Sequence, residues 1–277
     1  MDAWLIYDEY EAEKNKYYIQ LYFDECKKRS INLRLLICEK INIKIIDSKF
    51  SISYKNEHIA TPSFAICRTI NPMLSQQLEY MKIPVYNNAF VSSICNNKMK
   101  TYQYVSSFGI EIMNTSFANK KIENIKYPFV IKPVDGKGGK NVCLIENENE
   151  YDKVLSLLGN SECVIQSVAS DIGKDLRVYV IDKKIIASII RISNSDFRSN
   201  FCLGGTAELY KLSNDEIKIV KSIIDMFDFG FVGIDFVFNN GKMIFNEIED
   251  VVGARMIYAK TNINVVSEYL DYILSRI

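Results

Sequence analysis

The sequence predicts an α/β (α+β) protein on three observations. Strands and helices alternate over residues 1–96, an apolar strand opens directly into a glycine-rich loop after Lys132, and an acid-bearing strand pair lies near the C-terminus. Ala3–Tyr7 reads as a short strand. Lys14–Arg29 has helical spacing, with Tyr18, Leu21, Tyr22 and Cys26 on one face. Strands over Leu33–Cys38, Ser63–Cys67 and Ile83–Tyr86 and a helix over Leu74–Met81 complete a small parallel-sheet unit. The next segment begins near Asn97, with a helix over Lys98–Phe108 closed by Gly109. Tyr127–Lys132 and Val142–Ile145 are strands flanking the glycine loop, and Glu150–Leu158 is helical. Strands follow at Cys163–Val168, Asp175–Ile181 and Lys184–Ile192, then a helix at Asn214–Phe227. Phe231–Phe238 and Met243–Glu249 are strands joined at Asn239-Asn240-Gly241, a hairpin signal. Asn264–Ile273 closes the chain as a helix that packs internally or at a contact in a homo-oligomer.

Composition excludes several classes. Lys+Arg and Asp+Glu both number 34, which argues against a nucleic-acid partner bound through bulk charge. No apolar run approaches the ~20 residues of a membrane helix, and the acidic start Met1–Tyr10 lacks a signal-peptide pattern, so a cytoplasmic location without a membrane partner is expected. The seven cysteines are scattered without a CxxC pair and read as reduced thiols. His58 is the only histidine, in a polar stretch, so a Ser-His or Cys-His pair has little to build on.

Three features carry chemistry. In the first, a strand delivers Lys132, and Gly136, Gly138 and Gly139 follow at once, letting backbone N–H groups close on phosphate oxygens. The spacing is neither a Walker A sequence nor the dinucleotide fingerprint, and a plain flexible turn stays open as a reading. In the second, Glu247 and Glu249 alternate along one strand and share a face, with Asp235 on the partner strand. A hairpin loop with an odd residue count sets Asp235 across from Glu247, whereas a two-residue loop puts it on the wrong face. Three carboxylates on one face call for a cation, and hard oxygen donors suit Mg²⁺. The third is Asp196-Phe197-Arg198-Ser199-Asn200 with Gly204-Gly205, preceded by Arg191. Its arginines suit phosphate or a developing oxyanion, although alone it is equally a polar loop.

This order of features resembles the ATP-grasp superfamily, and within it the RimK-like (ribosomal protein S6 glutamate ligase-like) carboxylate–amine ligases. The resemblance covers 97–250 well and 1–96 in pattern only. It implies an ATP-grasp fold in which two α+β subdomains sandwich ATP, preceded by a small Rossmann-like pre-ATP-grasp domain. The expected division is 1–96 for that first domain, 97–165 for the small subdomain with the glycine-rich loop, and 166–277 for the C-terminal subdomain with the Mg²⁺ site. By the same resemblance Lys98 and Lys132 bind phosphates, and Gly136, Gly138 and Gly139 cover the γ-phosphate. Gln166, Ser167 and Val168 hold adenine, and Asp175 sits where an acid binds ribose. Arg198 and Asn200 contact phosphate and acyl phosphate, with Arg191 a further oxyanion contact. Asp235, Glu247 and Glu249 ligate one or two Mg²⁺ ions, with Mn²⁺ a substitute. The chain departs from the family at Glu249, where asparagine is usual, at Ser167, where glutamate is usual, and at Asp250–Arg255, where a proline-containing turn is usual.

The implied reaction joins a small-molecule or peptide carboxylate to an amine, itself an amino acid or peptide, through an acyl phosphate. Two alternatives stay open: a phosphotransferase acting on a hydroxyl, and a non-catalytic nucleotide-binding module. Arg68, after the strand Ser63–Cys67, reaches a substrate carboxylate from the first domain or is an ordinary surface arginine.

Overall fold

The computed structural model describes residues 1–136, 138–139, 141–159, 161–193 and 206–277. The chain starts β1 (Asp2–Tyr7), α1 (Glu9–Lys14), α2 (Lys16–Lys28), β2 (Asn32–Ile37), β3 (Ile41–Ile46), β4 (Lys49–Tyr54) and β5 (Glu57–His58). It continues β6 (Phe64–Cys67), α3 (Pro72–Tyr80), β7 (Val85–Tyr86), α4 (Ala89–Cys95) and α5 (Lys98–Ser107). Next come β8 (Thr115–Ala118), β9 (Phe129–Pro133), β10 (Cys143–Ile145), α6 (Glu148–Leu158) and β11 (Cys163–Ser167). The last part is β12 (Lys174–Ile181), β13 (Lys184–Ile192), β14 (Thr206–Leu209), α7 (Asn214–Asp225), β15 (Phe231–Asn239), β16 (Lys242–Glu249), α8 (Arg255–Lys260) and α9 (Val265–Leu274).

A parallel sheet of order β2-β1-β6-β7 forms the first unit. Its inner strand β1 is buried from Ala3 to Tyr7, as an unbroken apolar run in a doubly covered parallel sheet must be. The helix expected from Lys14 starts at Lys16 instead. Asn15 (φ −109, ψ 22) breaks it, returning its side-chain amide to the Glu11 carbonyl at 2.8 Å and leaving α1 as a separate turn. The sequence reading passed over the sheet β3-β4-β5, where Ile41, Ile43 and Ile45 alternate and the turn falls on Asp47 and Ser48, both at positive φ. It also passed over α4, β8, β14 and α8.

Two antiparallel sheets follow, β10-β9-β11-β8 and β14-β13-β12-β15-β16. The first closes on its own small core around Phe129, Ile131 and Tyr151. The second is backed by α7, whose capping box at Ser213 and Glu216 fixes its start. α9 packs inward: Tyr269, Leu270 and Ile273 share one core with Leu5, Tyr22 and Phe64 of the first unit. Asn87 ties the same parts together. Its amide donates to the Phe231 and Asp250 carbonyls at 3.0 and 2.7 Å and accepts from the Gly230 N–H at 2.7 Å.

His58 is exposed. The described cysteines are free thiols, and Cys26, Cys67, Cys95 and Cys163 are buried. Among the described residues no helix is long and apolar enough to cross a membrane.

Candidate active site

Two cavities meet at Lys98, Gly136 and Glu247, which line both. The smaller, of about 140 Å³, lies between the two antiparallel sheets, with Val130 and Lys132 on one wall and Val237 and Asn246 on the other. The larger, of about 500 Å³, runs from Glu249 and the following loop to Tyr7, Tyr18 and Arg68 of the first unit.

Each lysine is placed by its own element. Asn97 caps α5 by accepting the Lys100 N–H at 2.9 Å, and the Lys98 N–H donates to the Val134 carbonyl at 2.9 Å. The helix start is thereby tied to the end of the Lys132 strand. Lys98 Nζ donates to the Gly136 carbonyl and stands 3.8 Å from the Glu247 carboxylate. Lys132 Nζ donates to Gln166 Oε1 at 2.8 Å and Asn246 Oδ1 at 2.9 Å, and Gln166 Nε2 is braced by Thr115 Oγ1 at 3.0 Å. Burial pulls the Lys132 ammonium down to about 8; Glu247 opposes that shift and Lys98 adds to it.

The acids converge through an irregularity. The β15–β16 turn is a two-residue Asn240-Gly241 loop with both residues at positive φ, rather than the odd loop that the pairing of Asp235 with Glu247 had seemed to need. From Asn239↔Lys242 to Phe236↔Phe245 the register runs evenly; it then slips, and Asp235 faces Glu247. Asn246 is the extra residue of this β-bulge, which restores the carboxylates to one face and turns its own amide to Lys132. Ligand oxygens of Asp235, Glu247 and Glu249 lie within 4.8 Å of one another.

A ladder of alternating charge underlies these acids. Arg191 grips Asp175 through Nε at 2.5 Å and a terminal nitrogen at 2.6 Å, and reaches Asp235 at 2.8 Å. Arg177 takes Asp235 with two bonds of 2.7 and 2.6 Å and Glu249 with its remaining nitrogen at 2.7 Å. Burial works against ionising Asp235, which is 1% exposed, but the two guanidinium groups outweigh it and hold the carboxyl below its ordinary value. Glu249 is pushed up, chiefly by burial, with Asp235 and Glu247 adding. Gly233 makes room for the crossing: a Cβ there would stand 2.7 Å from Val252 and 3.3 Å from Arg177.

The other expected positions fall as follows. Gly136, Gly139, Gln166, Ser167, Val168 and Asp175 line the smaller cavity, and Gly138 the larger. The Gln166 side chain is spent on Lys132, and the Ser167 N–H on the Asn114 carbonyl at 3.0 Å. Asp235 and Arg191 line neither cavity and sit beneath them. Arg198, Asn200, Gly204 and Gly205 lie outside the described residues. Sequence reasoning missed Arg177 and Asn246. Arg177 was visible as a charge two residues from Asp175 on an apolar strand, hence on the same face. Asn246 carried no such signal, because strict alternation turns it away from the glutamates.

Residues 95–273 match the family model of the RimK-like ATP-grasp domain. An uncharacterized protein of Mycoplasma pneumoniae, the MG011 homolog, is 29% identical over 91% of this chain and 85% of its own. A probable alpha-L-glutamate ligase of Maridesulfovibrio salexigens is 26% identical over 90% of this chain and 89% of its own. The crystal structure of a RimK domain ATP-grasp protein from Sphaerobacter thermophilus superposes with a TM-score of 0.75 at 14% identity, covering 99% of this chain and 100% of that one. The matched span takes in both lysines, the bulged hairpin and the charge ladder: the chain belongs to the RimK-like ATP-grasp family.

Proposed function

We propose that this protein is an ATP-dependent carboxylate–amine ligase that makes an amide bond through an acyl phosphate and releases ADP and phosphate. The observation that carries the reading is the junction of the two cavities at Lys98, Gly136 and Glu247. A nucleotide in the smaller cavity then presents its γ-phosphate to a carboxylate in the larger. The domain division 1–96, 97–165 and 166–277 belongs to the same proposal.

Asp235, Glu247 and Glu249 offer the hard oxygen donors that Mg²⁺ takes, with Glu247 open to both cavities and Asp235 and Glu249 sharing their oxygens with guanidinium groups. When bound, Mg²⁺ supplies neutralising charge to the phosphates. The chain's own residues do the rest. Lys98 and Lys132 hold the phosphates, and Gly136, Gly138 and Gly139 let the loop close over them and exclude water. Gln166, Ser167 and Val168 border the adenine, and Asp175 the ribose. A carboxylate oxygen attacks the γ-phosphorus in line, and the bond to ADP breaks. The amine then attacks the acyl carbon; phosphate leaves, and the amine sheds a proton. By the family resemblance Arg198 and Asn200 are assigned to the oxyanion of that adduct, with Arg191 supporting it from the ladder below. The alpha-L-glutamate ligase name of a relative points to an amino acid as one partner.

The test is phosphate release from ATP over pairs of carboxylates and amines, with the amide sought by mass spectrometry and hydroxylamine added to trap the acyl phosphate. Amine-dependent release with a hydroxamate product supports the ligase. A stable phosphorylated acceptor would replace it with a phosphotransferase, and tight ATP binding with no turnover for any pair would leave a binding module.

Two outcomes follow from the Lys132 bonds. Above pH 8 the free enzyme holds part of Lys132 neutral, and bound phosphate favours the charged form. ATP binding at about pH 8.5 therefore takes up protons, and calorimetry in buffers of differing ionisation enthalpy reads the uptake. Asn246→Leu removes one brace from Lys132 and raises KM for ATP by about 3- to 10-fold, with a smaller change in kcat, in steady-state assays.

A further inference from the structure

Arg68 directly follows the apolar strand β6 and is 6% exposed, yet it lines the larger cavity. One of its nitrogens donates to the Val252 carbonyl at 2.7 Å, which fixes it to the loop directly after Glu249. The other buried arginines, Arg177 and Arg191, are each held by carboxylates. Arg68 is not: its Nε has no hydrogen-bond partner. The hydroxyls of Tyr7, Tyr18 and Tyr22, which surround it, are buried, and no carboxylate or carbonyl takes their protons. The guanidinium lies over the Tyr18 ring at 5.5 Å, and Tyr7 and Tyr18 line the same cavity. Burial pushes the Tyr18 and Tyr22 hydroxyls above their ordinary range, so they remain neutral donors.

Buried donors without acceptors are costly, and here a guanidinium bonded to no carboxylate stands among them. An anion in the cavity completes the set, and a carboxylate matches the arginine fork. Asp250 is the internal competitor, lining the same cavity from the loop that Arg68 grips. Its Oδ1 has no hydrogen-bond partner, and it acts on Arg68 through its charge rather than through a bond. The cavity is bounded elsewhere by Lys98 and Glu247, where the γ-phosphate stands in the proposed reaction. A carboxylate on Arg68 is therefore a different one from the carboxylate that is activated.

We propose that Arg68, with the Tyr7 and Tyr18 hydroxyls, binds the free carboxylate of the amine substrate, so that the amine is an amino acid gripped by its α-carboxylate. This rests on the ligase reading. It gives the chain a means of presenting the amine while keeping the same molecule's carboxylate from being phosphorylated.

The experiment measures binding to the ADP–Mg²⁺ complex by calorimetry, which needs no turnover. The probes are the twenty protein amino acids and their α-carboxamides, each tested singly. At least one amino acid is expected to bind, its carboxamide about 10- to 100-fold more weakly. Arg68→Met is expected to abolish that preference, and Tyr7→Phe, which removes one hydroxyl from an intact ring, to weaken the amino acid about 3- to 10-fold. ADP affinity stays at the wild-type value in Tyr7→Phe. Equal binding of acid and carboxamide by the wild type, or ADP binding with no amino acid bound, overturns the inference. Amino-acid binding with that preference but no ATP turnover for any pair supports the subsite and sinks the ligase reading instead.

Discussion

Glu247→Gln lowers amine-dependent phosphate release by at least about 100-fold while the protein keeps its fold. Of the three clustered acids, Glu247 alone lines both cavities. Asp235 is sealed under two guanidinium groups, and Glu249 is taken by Arg177. Among the described residues the cation paired with Glu247 is Lys98, at 3.8 Å, so its carboxylate is the one most ready for a divalent ion. Glutamine keeps the shape and removes the charge, and relief of repulsion with Glu249 keeps the melting temperature at or above the wild-type value. Raising Mg²⁺ restores part of the activity, because the defect is one of metal affinity. Steady-state assays over a Mg²⁺ series check this; a variant with wild-type turnover at low Mg²⁺ would remove Glu247 from the mechanism.

Arg177→Met is the second large effect, and it falls on stability. Arg177 is the only residue that bonds both Asp235 and Glu249 among the described residues. Without it, buried Asp235 and half-buried Glu249 lose their shared partner, and among the described residues only Arg191 remains on Asp235. Removing one member of a buried ion network costs about 3–5 kcal/mol, which in a chain of this size lowers the melting temperature by on the order of 10 °C. The direction with pH is fixed by the same shift. Asp235 has a folded-state value below its unfolded one, so its stabilisation is present above the unfolded value and is lost as pH falls through the folded value. The variant loses that contribution and its acid unfolding moves to higher pH. Millimolar Mg²⁺ raises its melting temperature more than it raises the wild type's, since a divalent ion then compensates the exposed acids. Thermal melts with and without Mg²⁺ decide it, and an unchanged melting temperature would show that the ladder carries little of the fold.

Much of this was legible in the residues, for reasons that differ from place to place. The apolar run Ala3–Tyr7 marks a strand because burial on both faces leaves little room for polar side chains, and the isoleucine-rich run Lys184–Ile192 marks one although only Ile189, Ile190 and Arg191 of it are buried. Glu247 and Glu249 were readable as a same-face pair because strand periodicity is local. What escaped was non-local or irregular. The turn at Asp47 and Ser48 carries no glycine, so the β3–β4 hairpin lacked its usual signal. The bulge at Asn246 is decided by what lies across the strand, and alternation within one strand holds no record of it. Arg177 stood in view inside a quoted motif, but its partners are far away in sequence, at Asp235 and Glu249.

The first unit, the five-stranded sheet and the terminal helix pack into one body: Leu5, Tyr179, Phe231 and Tyr269 all belong to a single core. The sheet β10-β9-β11-β8 has a separate core and enters the neighbouring one through Val134 and Val164. The molecule therefore resembles an anvil with one separately cored jaw. Under the proposed ligase reading, admission and release of a nucleotide fall to that jaw, while Arg68, Tyr7 and Tyr18 stand on the anvil and the glycine loop borders the far side of their chamber.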